Sequence, residues 1–524
     1  MKLGRSLILF LGVALIGTVT ARADSILRIA APSEPETIDP AKSTGIYEGK
    51  IELDLFEGLM TRGGTGARIA GAAQSWDISA DGLTYIFHLR PDLKYSNGEP
   101  IVAADFVYGL RRRIDPATGA ENGNELEAIA HALDIESGKI ADVSQLGAAA
   151  PDDRTVVVTL WRPSIRLLDF AVTFFPVRKA DIERFGSDWT RPGKLVGNGA
   201  FLLTEWVPQS HVGLKRNPFY RQAGAVALDR VEYVVTGSPE TAMKMFRAGE
   251  LDVAELPRNE IEWAKRNLLA TLKAEPQIGT YMIGLNIGAP PFDNLKLRRA
   301  LALVTDQAAL TERIVRGDQI PAYGFIPALV PGYPVVSESF RDMPMTARLA
   351  LARKLYAEAG YGPDKKLIVQ LMVAKGREWD RWAQALVGMW HDALGVEATL
   401  DTQEWQVYLG RLNHHDFTAA VDDWITGIQA PVLLDEYRST SASNETQYNS
   451  ADYDRHLTEA DSAADLPAEY AAYAAAERLL LDDQPIIPIY HAVTHRLVAG
   501  RVQGWIPNPA DSHRSQYLSL APPS

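Results

Sequence analysis

The chain has 524 residues, 46% of them hydrophobic and 23% charged, enough to bury a core over about three domains and too apolar for a disordered or collagen-like polymer. Its 53 basic and 66 acidic residues leave a net charge of -13, so neither nucleic acid nor an anionic membrane surface is expected as a partner. With no cysteine, disulfides, thiolate metal sites, iron–sulfur clusters and cysteine nucleophiles are all excluded.

The first residues carry two early cations, Lys2 and Arg5, then a mostly apolar stretch from Leu7 to Val19 and the small residues Ala21 and Ala23. This is the pattern of a secretory signal peptide cut after Ala23: the stretch is too short for a stable membrane span. Without cysteine the mature N-terminus cannot be lipidated, so the expected product is free in the periplasm. No later apolar stretch approaches the length of a membrane helix.

Tyr85 to Arg90 reads as an extended segment, and Tyr95-Ser96-Asn97-Gly98 supplies the chemistry of a tight turn. Asp105 is placed to cap a helix, Phe56 and Trp76 are expected in the core, and Thr155 to Trp161 is again β-rich. A helix is expected from Thr346 to Ala359, burying Leu351, Ala352, Leu355, Tyr356 and Ala359 and ending at Gly360. Leu367 to Val373 is an apolar strand. Ala383, Leu386, Val387, Trp390 and Leu394 recur at helical spacing, Gly395 ends that helix, and Val396, Ala398 and Leu400 alternate as a further strand. Together these form a βαβ unit, hence a mixed α/β fold with a partly parallel sheet.

The chain carries no Gly-x-Ser-x-Gly elbow, no His-Glu-x-x-His helix and no phosphate-cradling loop. Gly63-Gly64-Thr65-Gly66 lacks both a following lysine and a preceding apolar strand, and reads as a turn. His414-His415-Asp416 is the one local metal-like cluster, but neighbouring residues on an extended chain point to opposite sides, so a solvated loop is the better reading. No catalytic residue, metal ligand or cofactor is assigned; a secreted hydrolase is the rival from the enzyme class.

Several segments in order resemble one family. They are Leu55-Phe56-Glu57-Gly58-Leu59 with Ala73-Gln74-Ser75-Trp76; Tyr95 to Asp105 with Phe106-Val107-Tyr108 and Asp115-Pro116; Asn198-Gly199-Ala200-Phe201 with Trp206; and Arg216-Asn217-Pro218-Phe219-Tyr220. Gly249-Glu250-Leu251-Asp252, Pro290-Pro291-Phe292, Arg298 to Ala302, Pro321-Ala322-Tyr323-Gly324, Gln403-Glu404-Trp405 and Pro485-Ile486-Ile487-Pro488 follow. The chain is similar to the periplasmic oligopeptide-binding proteins of ABC importers, in the peptide/nickel/opine class of solute-binding protein (family 5). The resemblance implies a two-lobed α/β clamp of the type II, cluster C periplasmic-binding-protein fold with an additional small α/β domain. Lobe I would comprise 24–51, 184–278 and 495–524, the small domain 52–183, and lobe II 279–494. It also implies a monomer that takes a peptide or peptide-like solute between the lobes and hands it to permease subunits in the inner membrane. A non-peptide solute, such as a nickel chelate or an opine, is the alternative within the fold.

In this family an extended peptide lies as an added strand between short segments of both lobes, so main-chain hydrogen bonds give affinity without reading sequence. The corresponding segments here are Ser33 to Glu36, with Glu34, Pro35 and Glu36 as candidate contacts, and Asp423, Trp424, Ile425 and Thr426. Tyr281, Asn286, Tyr323 and Trp405 are further candidates. The family's peptide binders have an Asp three residues after the tryptophan that pairs with the ligand's amino terminus; here Gly427 stands there. Trp379 and Val421 stand where a His and an Arg would meet the ligand's carboxylate. An acidic, aromatic cleft favours cationic or neutral ligands, so a modified, blocked or cationic peptide-like solute is expected.

Overall fold

A computed structural model describes residues 24–120, 123–164, 166–375, 379–426, 430–441, 443–463 and 465–522. The leader and Gly427 lie outside the described residues. One large sheet runs through the molecule. Ten of its strands are numbered here in chain order: β1 (Ile26–Ala31), β2 (Phe201–Val207), β3 (His211–Arg216), β4 (Arg230–Val235), β5 (Val253–Glu255), β6 (Leu272–Leu285), β7 (Ile368–Ala374), β8 (Glu397–Gln403), β9 (Ala419–Thr426) and β10 (Ile486–Val498). Their spatial order is β8-β7-β9-β6-β10-β5-β1-β4-β3-β2, and the short strand Ile320–Pro321 adds to β10.

The sheet divides along its two longest strands. Leu272 to Pro276 of β6 pair with Val493 to Leu497 of β10, beside β5. After an irregularity, Thr280 to Gly284 pair with Ile486 to His491, while Ile278 to Leu285 also pair with β9. Gln277, Ile278 and Gly279 therefore face Ala492 alone, and an excess of residues on one strand bends and twists a ladder. One half of the sheet, with β1 to β5, forms the first lobe; the other, with β7 to β9, forms the second. The two-lobed expectation is realised as one sheet creased across β6 and β10.

The second lobe holds the βαβ unit. β7 and β8 are parallel over an unbroken register from Ile368↔Glu397 to Ala374↔Gln403, joined through a helix from Asp380 to Leu394. This helix buries Trp382, Ala383, Leu386, Val387 and Trp390, and Gly395 closes it at φ 73°, a left-handed position that suits glycine. The helix expected from Thr346 spans Met345 to Glu358, but its buried stripe is Arg348, Ala352 and Tyr356, and Leu351 is exposed. Arg348 takes the place of the expected leucines. Its guanidinium donates to Leu303 O (2.9 Å) and Thr305 O (2.5 Å) at the end of helix Leu295–Val304 and lies 4.7 Å from the Phe340 ring centre. A cation on the last carbonyls of a helix complements its negative end.

A third core lies in 59–174, around an antiparallel sheet in the order Ala73–Ile78, Thr84–Leu89, Thr155–Thr159, Ala148–Asp152. The helix from Ala103 to Ile114 covers it with Phe106 and Leu110. Asp105 sits in the first turn of that helix and accepts from Val102 N (3.0 Å), so it supplies the acidic half of a capping box, which Val102 has no side-chain acceptor to complete, and is not itself the cap residue. Phe56 is fully buried, whereas Trp76 is only half-buried. The Gly63–Gly66 turn joins Met60–Arg62 to Arg68–Ala70.

The motifs that carry the resemblance are knotted where this unit meets the first lobe. Asn198 pairs with both main-chain groups of Glu57 (2.9 and 2.8 Å). A Cβ on Gly199 would lie 2.4 Å from Asp54 O, which only glycine tolerates. Asn217 donates to Gly199 O (2.9 Å), and Glu57 binds Tyr220 (2.7 Å) and, in a fork, Arg221 (2.6 and 2.8 Å). These residues hold the architecture together.

Candidate functional site

In both lobes, parallel strands end on the cleft side. β1 is parallel to β4 and β5; β7 is parallel to β8 and β9. Ligands of open α/β sheets bind outside the carboxyl ends of such strands. Glu34 to Glu36 follow the end of β1 and Arg258 follows β5. Trp405 follows β8, Trp379 follows β7, and Asp423 to Thr426 finish β9.

The end of β9 is open on one side. Along its whole length it pairs with β6, from Leu285↔Ala419 to Ile278↔Thr426. On its other edge it meets β7 only at Ala419 and Ala420, and no strand of the described residues continues that ladder. The Tyr408 hydroxyl donates to Val421 O, and the alternation of an extended chain turns the main-chain groups of Asp423 and Ile425 the same way. Tyr408 belongs to the helix Trp405–Asn413. Trp405 stacks on it at 5.6 Å and Trp379 meets it edge-on at 5.8 Å; Tyr408 and Trp379 are buried in the second-lobe core, and Trp405 is the ring of the three that reaches the surface beside the open edge. Ile425 is 49% exposed and adds an apolar surface at its end.

Tyr281, in the crease of β6, lies opposite Asp423 and stacks on Tyr490 of β10 at 4.5 Å. Arg258 of the first lobe reaches the Tyr281 hydroxyl (3.4 Å). The floor between the lobes is therefore two stacked phenols with a guanidinium from one lobe and a carboxylate from the other. Neither Arg258 nor Tyr490 was among the sequence candidates. Tyr490 stands just past the Pro485–Pro488 motif, a signal that was available; Arg258 has no local pattern.

The remaining candidates are placed differently. Glu34 spends both carboxylate oxygens on its own lobe, accepting from Trp206 Nε1 (3.0 Å), Gln209 N (3.0 Å) and Gln209 Nε2 (2.6 Å), which holds its pKa down. It ties the segment after β1 to the β2–β3 hairpin; Pro35 is buried and Glu36 exposed. Asn286 is 5% exposed and also fully engaged: its Nδ2 donates to His415 O (3.0 Å) and Phe417 O (3.1 Å), and its Oδ1 accepts from Gly288 N and Gln447 Nε2. It fixes the loop leading into β9 and offers a ligand nothing. Tyr323 is half-buried against the second-lobe core, with Arg341 5.9 Å from its ring centre. Trp424 points to the other face from Asp423, against the cluster around Leu434. The His414–Asp416 cluster lies in the loop before β9.

Behind the open edge, Asp422 and Glu445 form an acid pair beside a cavity of about 10 Å³, room for one water, walled also by Trp424 and Tyr437. Burial first, and then the Glu445 charge, pushes the Asp422 carboxyl well up. Burial pushes Glu445 up to about 7. Asp422 therefore carries the shared proton and Glu445 accepts it, while Asp422 Oδ1 accepts from Asp423 N (2.8 Å). Because both folded pKa values lie above those of the unfolded chain, the pair favours folding at acid pH and loses that contribution as pH rises through about 7. Glu445→Gln is thus expected to leave stability nearly unchanged at pH 4.5 and to raise it by about 1–2 kcal/mol at pH 8. Urea titrations at the two pH values check this; a variant equally shifted at both would show that ionisation is not the cause.

The chain matches the model of bacterial extracellular solute-binding proteins, family 5 middle, over residues 69–445. It is 34% identical over 501 residues to the probable deoxycholate-binding periplasmic protein YgiS of Escherichia coli, covering 94% of this chain and 93% of that protein. It is 32% identical over 511 residues to the periplasmic murein peptide-binding protein MppA of the same organism (96% and 94%). The solved unliganded open form of MppA superposes with a TM-score of 0.86 at 31% identity, over 95% of this chain and 98% of that one. Haemophilus influenzae OppA in complex with the peptide RPPGFSPFR gives 0.77 at 30% identity (95% and 99%).

Proposed function

The chain belongs to the family 5 extracellular solute-binding proteins of bacteria, and on that basis we propose that it captures peptides or peptide-like solutes in the periplasm and presents them to the permease of an ABC importer. The observation that carries this reading is the open edge of β9. An extended peptide laid along this edge beside Ile425 gains main-chain hydrogen bonds whatever its sequence, while the half-buried Trp405 and the exposed Ile425 meet its apolar substituents. The segment after β1 closes from the first lobe, and the crease in β6 and β10 is the hinge; closure around ligand is the known motion of periplasmic binding proteins. The lobes follow 24–51, 184–278 and 495–524 against 279–494, with 52–183 as the small domain; the separate cores support this division except at its joins, where Leu55, Phe56, Phe175 and Val177 pack into the first-lobe core. The protein works as a monomer, is cut after Ala23 without lipid attachment, and performs no chemistry on its cargo.

The peptide is blocked, modified or cationic, because Gly427 supplies no carboxylate for an ordinary amino terminus and Asp423 is the acid nearest the open edge. Native mass spectrometry of the protein as purified, followed by unfolding to release its cargo, tests the reading. A released compound with peptide bonds is expected; a deoxycholate-like acid or a metal chelate alone would overturn it.

A further inference from the structure

The unit at 59–174 touches both sides of the cleft, by two unlike contacts. On the first lobe, Arg112 of the helix Ala103–Ile114 holds Asp39, just past Glu36 in the segment after β1, in a fork (both 2.5 Å). Asp39 is 5% exposed and also accepts from Trp189 Nε1 (3.2 Å), and the apolar cluster around Trp189 takes in Ile38, Phe56 and Phe175. That contact is packed. On the second lobe the contact is made of charges. Arg166 donates to Asp435 (3.1 Å) and Glu469 (3.1 Å), and lies 3.8 Å from Asp461 and 5.0 Å from the Tyr473 ring centre. Arg162 meets Asp461 at 2.9 Å. Among the described residues no apolar cluster is shared between 59–174 and the second lobe.

The charges of this second contact balance only while it is made. Arg438 of the second lobe also pairs with Asp435 (2.8 Å) and Asp461 (2.9 Å), so Asp435, Asp461 and Glu469 face Arg438 together with Arg162 and Arg166 of 59–174. Withdrawing Arg162 and Arg166 leaves the acids with Arg438 alone, and partly buried acids that lose their counter-charges are costly. The position of the contact gives it a direction. Asp435 follows β9 and Asp39 follows β1, and both strands end on the cleft side of the crease. Swinging the second lobe outward about the crease carries Asp435 away from Asp39, and a unit fastened to both must first let go of its ionic end.

Given the crease as hinge and the interlobe space as the ligand site, on which this rests, we propose that 59–174 is an ionic strut across the side of the cleft. Arg166, with Arg162, is a positioning residue: in the unliganded protein it limits how far the lobes part and keeps the open edge of β9 facing the segment after β1. A cleft ligand binds the population in which both segments are within reach, so a loosened strut lowers the apparent affinity in proportion to the population lost, without any contact between Arg166 and the ligand.

The chain has no cysteine, so Val207→Cys with Val407→Cys gives two label sites without further change. Both residues are exposed, at 41% and 50%, and both sit on the cleft side, at the end of β2 and in the first turn of the helix Trp405–Asn413. Double electron–electron resonance between spin labels at these sites, on the ligand-free protein, reads the opening directly and needs no cargo, so it decides the strut separately from what is bound. Arg166→Gln is expected to move the distance distribution to longer values and to broaden it. Arg166→Lys, which keeps the charge, should recover most of that shift. Arg455→Gln removes an exposed arginine that pairs with Asp452 and Glu459 of its own helix, and should leave the distribution unchanged. Raising NaCl from about 0.05 to about 0.5 M, which shortens the screening length about threefold, should lengthen the distance where Arg166 is intact and leave the Arg166→Gln protein where it is; the first of these readings needs no variant at the strut. A distance that moves with neither Arg166→Gln nor salt, an equal shift with Arg455→Gln, or a shift to shorter distance, as a contact holding the lobes apart would give, would each overturn the proposal.

Discussion

Arg496→Met is expected to lower the unfolding free energy by about 3–5 kcal/mol, the usual cost of stranding a buried charge. Arg496 is 5% exposed and Glu275 fully buried. The guanidinium bridges Glu275 (3.0 Å) and both oxygens of Asp511, one at 2.6 Å. Glu275 also accepts from Trp505 Nε1 (2.7 Å) and meets His513 Nε2 at 3.2 Å, and Asp511 holds Lys50 at 3.3 Å. Glu275, Asp511 and His513 bring their ligating atoms within 4.8 Å of one another, an arrangement that resembles a metal site. Arg496 and Lys50 already supply its positive charge, so an ion pair network is the sufficient account. Removing the arginine leaves two acids facing each other, whereas Arg496→Met with Glu275→Gln removes charge from both sides. The double variant should recover more than half of the loss, as replacing a whole buried pair is often nearly neutral. Chemical denaturation with a double-mutant cycle checks both values. A single variant that costs under about 1 kcal/mol would mean that the network is solvated like a surface pair. The network joins the C-terminal segment to β6 and β10 on the first-lobe side of the crease, so the loss should also appear as a softer hinge.

What could be read in the chain before folding follows the range of the interactions concerned. The βαβ unit from 368 to 403 was legible because its spacing, its Gly395 stop and its alternation are local. The crease between the lobes was not: it arises from a mismatch of register between strands more than two hundred residues apart, Pro276 opposite Val493 and Thr280 opposite His491. The candidate segments after β1 and along β9 were found through family motifs, and the structure sets both at strand ends. Those motifs do not reveal whether a side chain is already spent. Glu34 satisfies Trp206 and Gln209, and Asn286 satisfies the loop before β9; these partners are distant in sequence. Arg348 illustrates the same limit within a helix, where an apolar stripe was expected and a cation fills the position because carbonyls of another helix end there.

The sharpest test of ligand choice is at Gly427. The wild type is expected to bind Ala-Ala-Ala weakly, because an ammonium brought into a closed cleft without a carboxylate partner loses its hydration uncompensated. Lys-Ala-Lys should bind more tightly, as its side chains bring further positive charge toward the Asp423 carboxylate. Gly427→Asp restores the carboxylate that this family's peptide binders place there, and a charge-assisted hydrogen bond contributes about 1.5–3 kcal/mol. Affinity for Ala-Ala-Ala should therefore rise about ten- to a hundredfold in titration calorimetry at pH 7. N-acetylated Ala-Ala-Ala has no ammonium to pair and should gain nothing; Gly427→Asn, with the shape but not the charge, should gain little for either peptide. The reading fails if wild-type protein already holds the neutral tripeptide at nanomolar Kd, or if the acetylated peptide gains as much as the free one, for then the added carboxylate would be acting on the strand and not on the amino terminus.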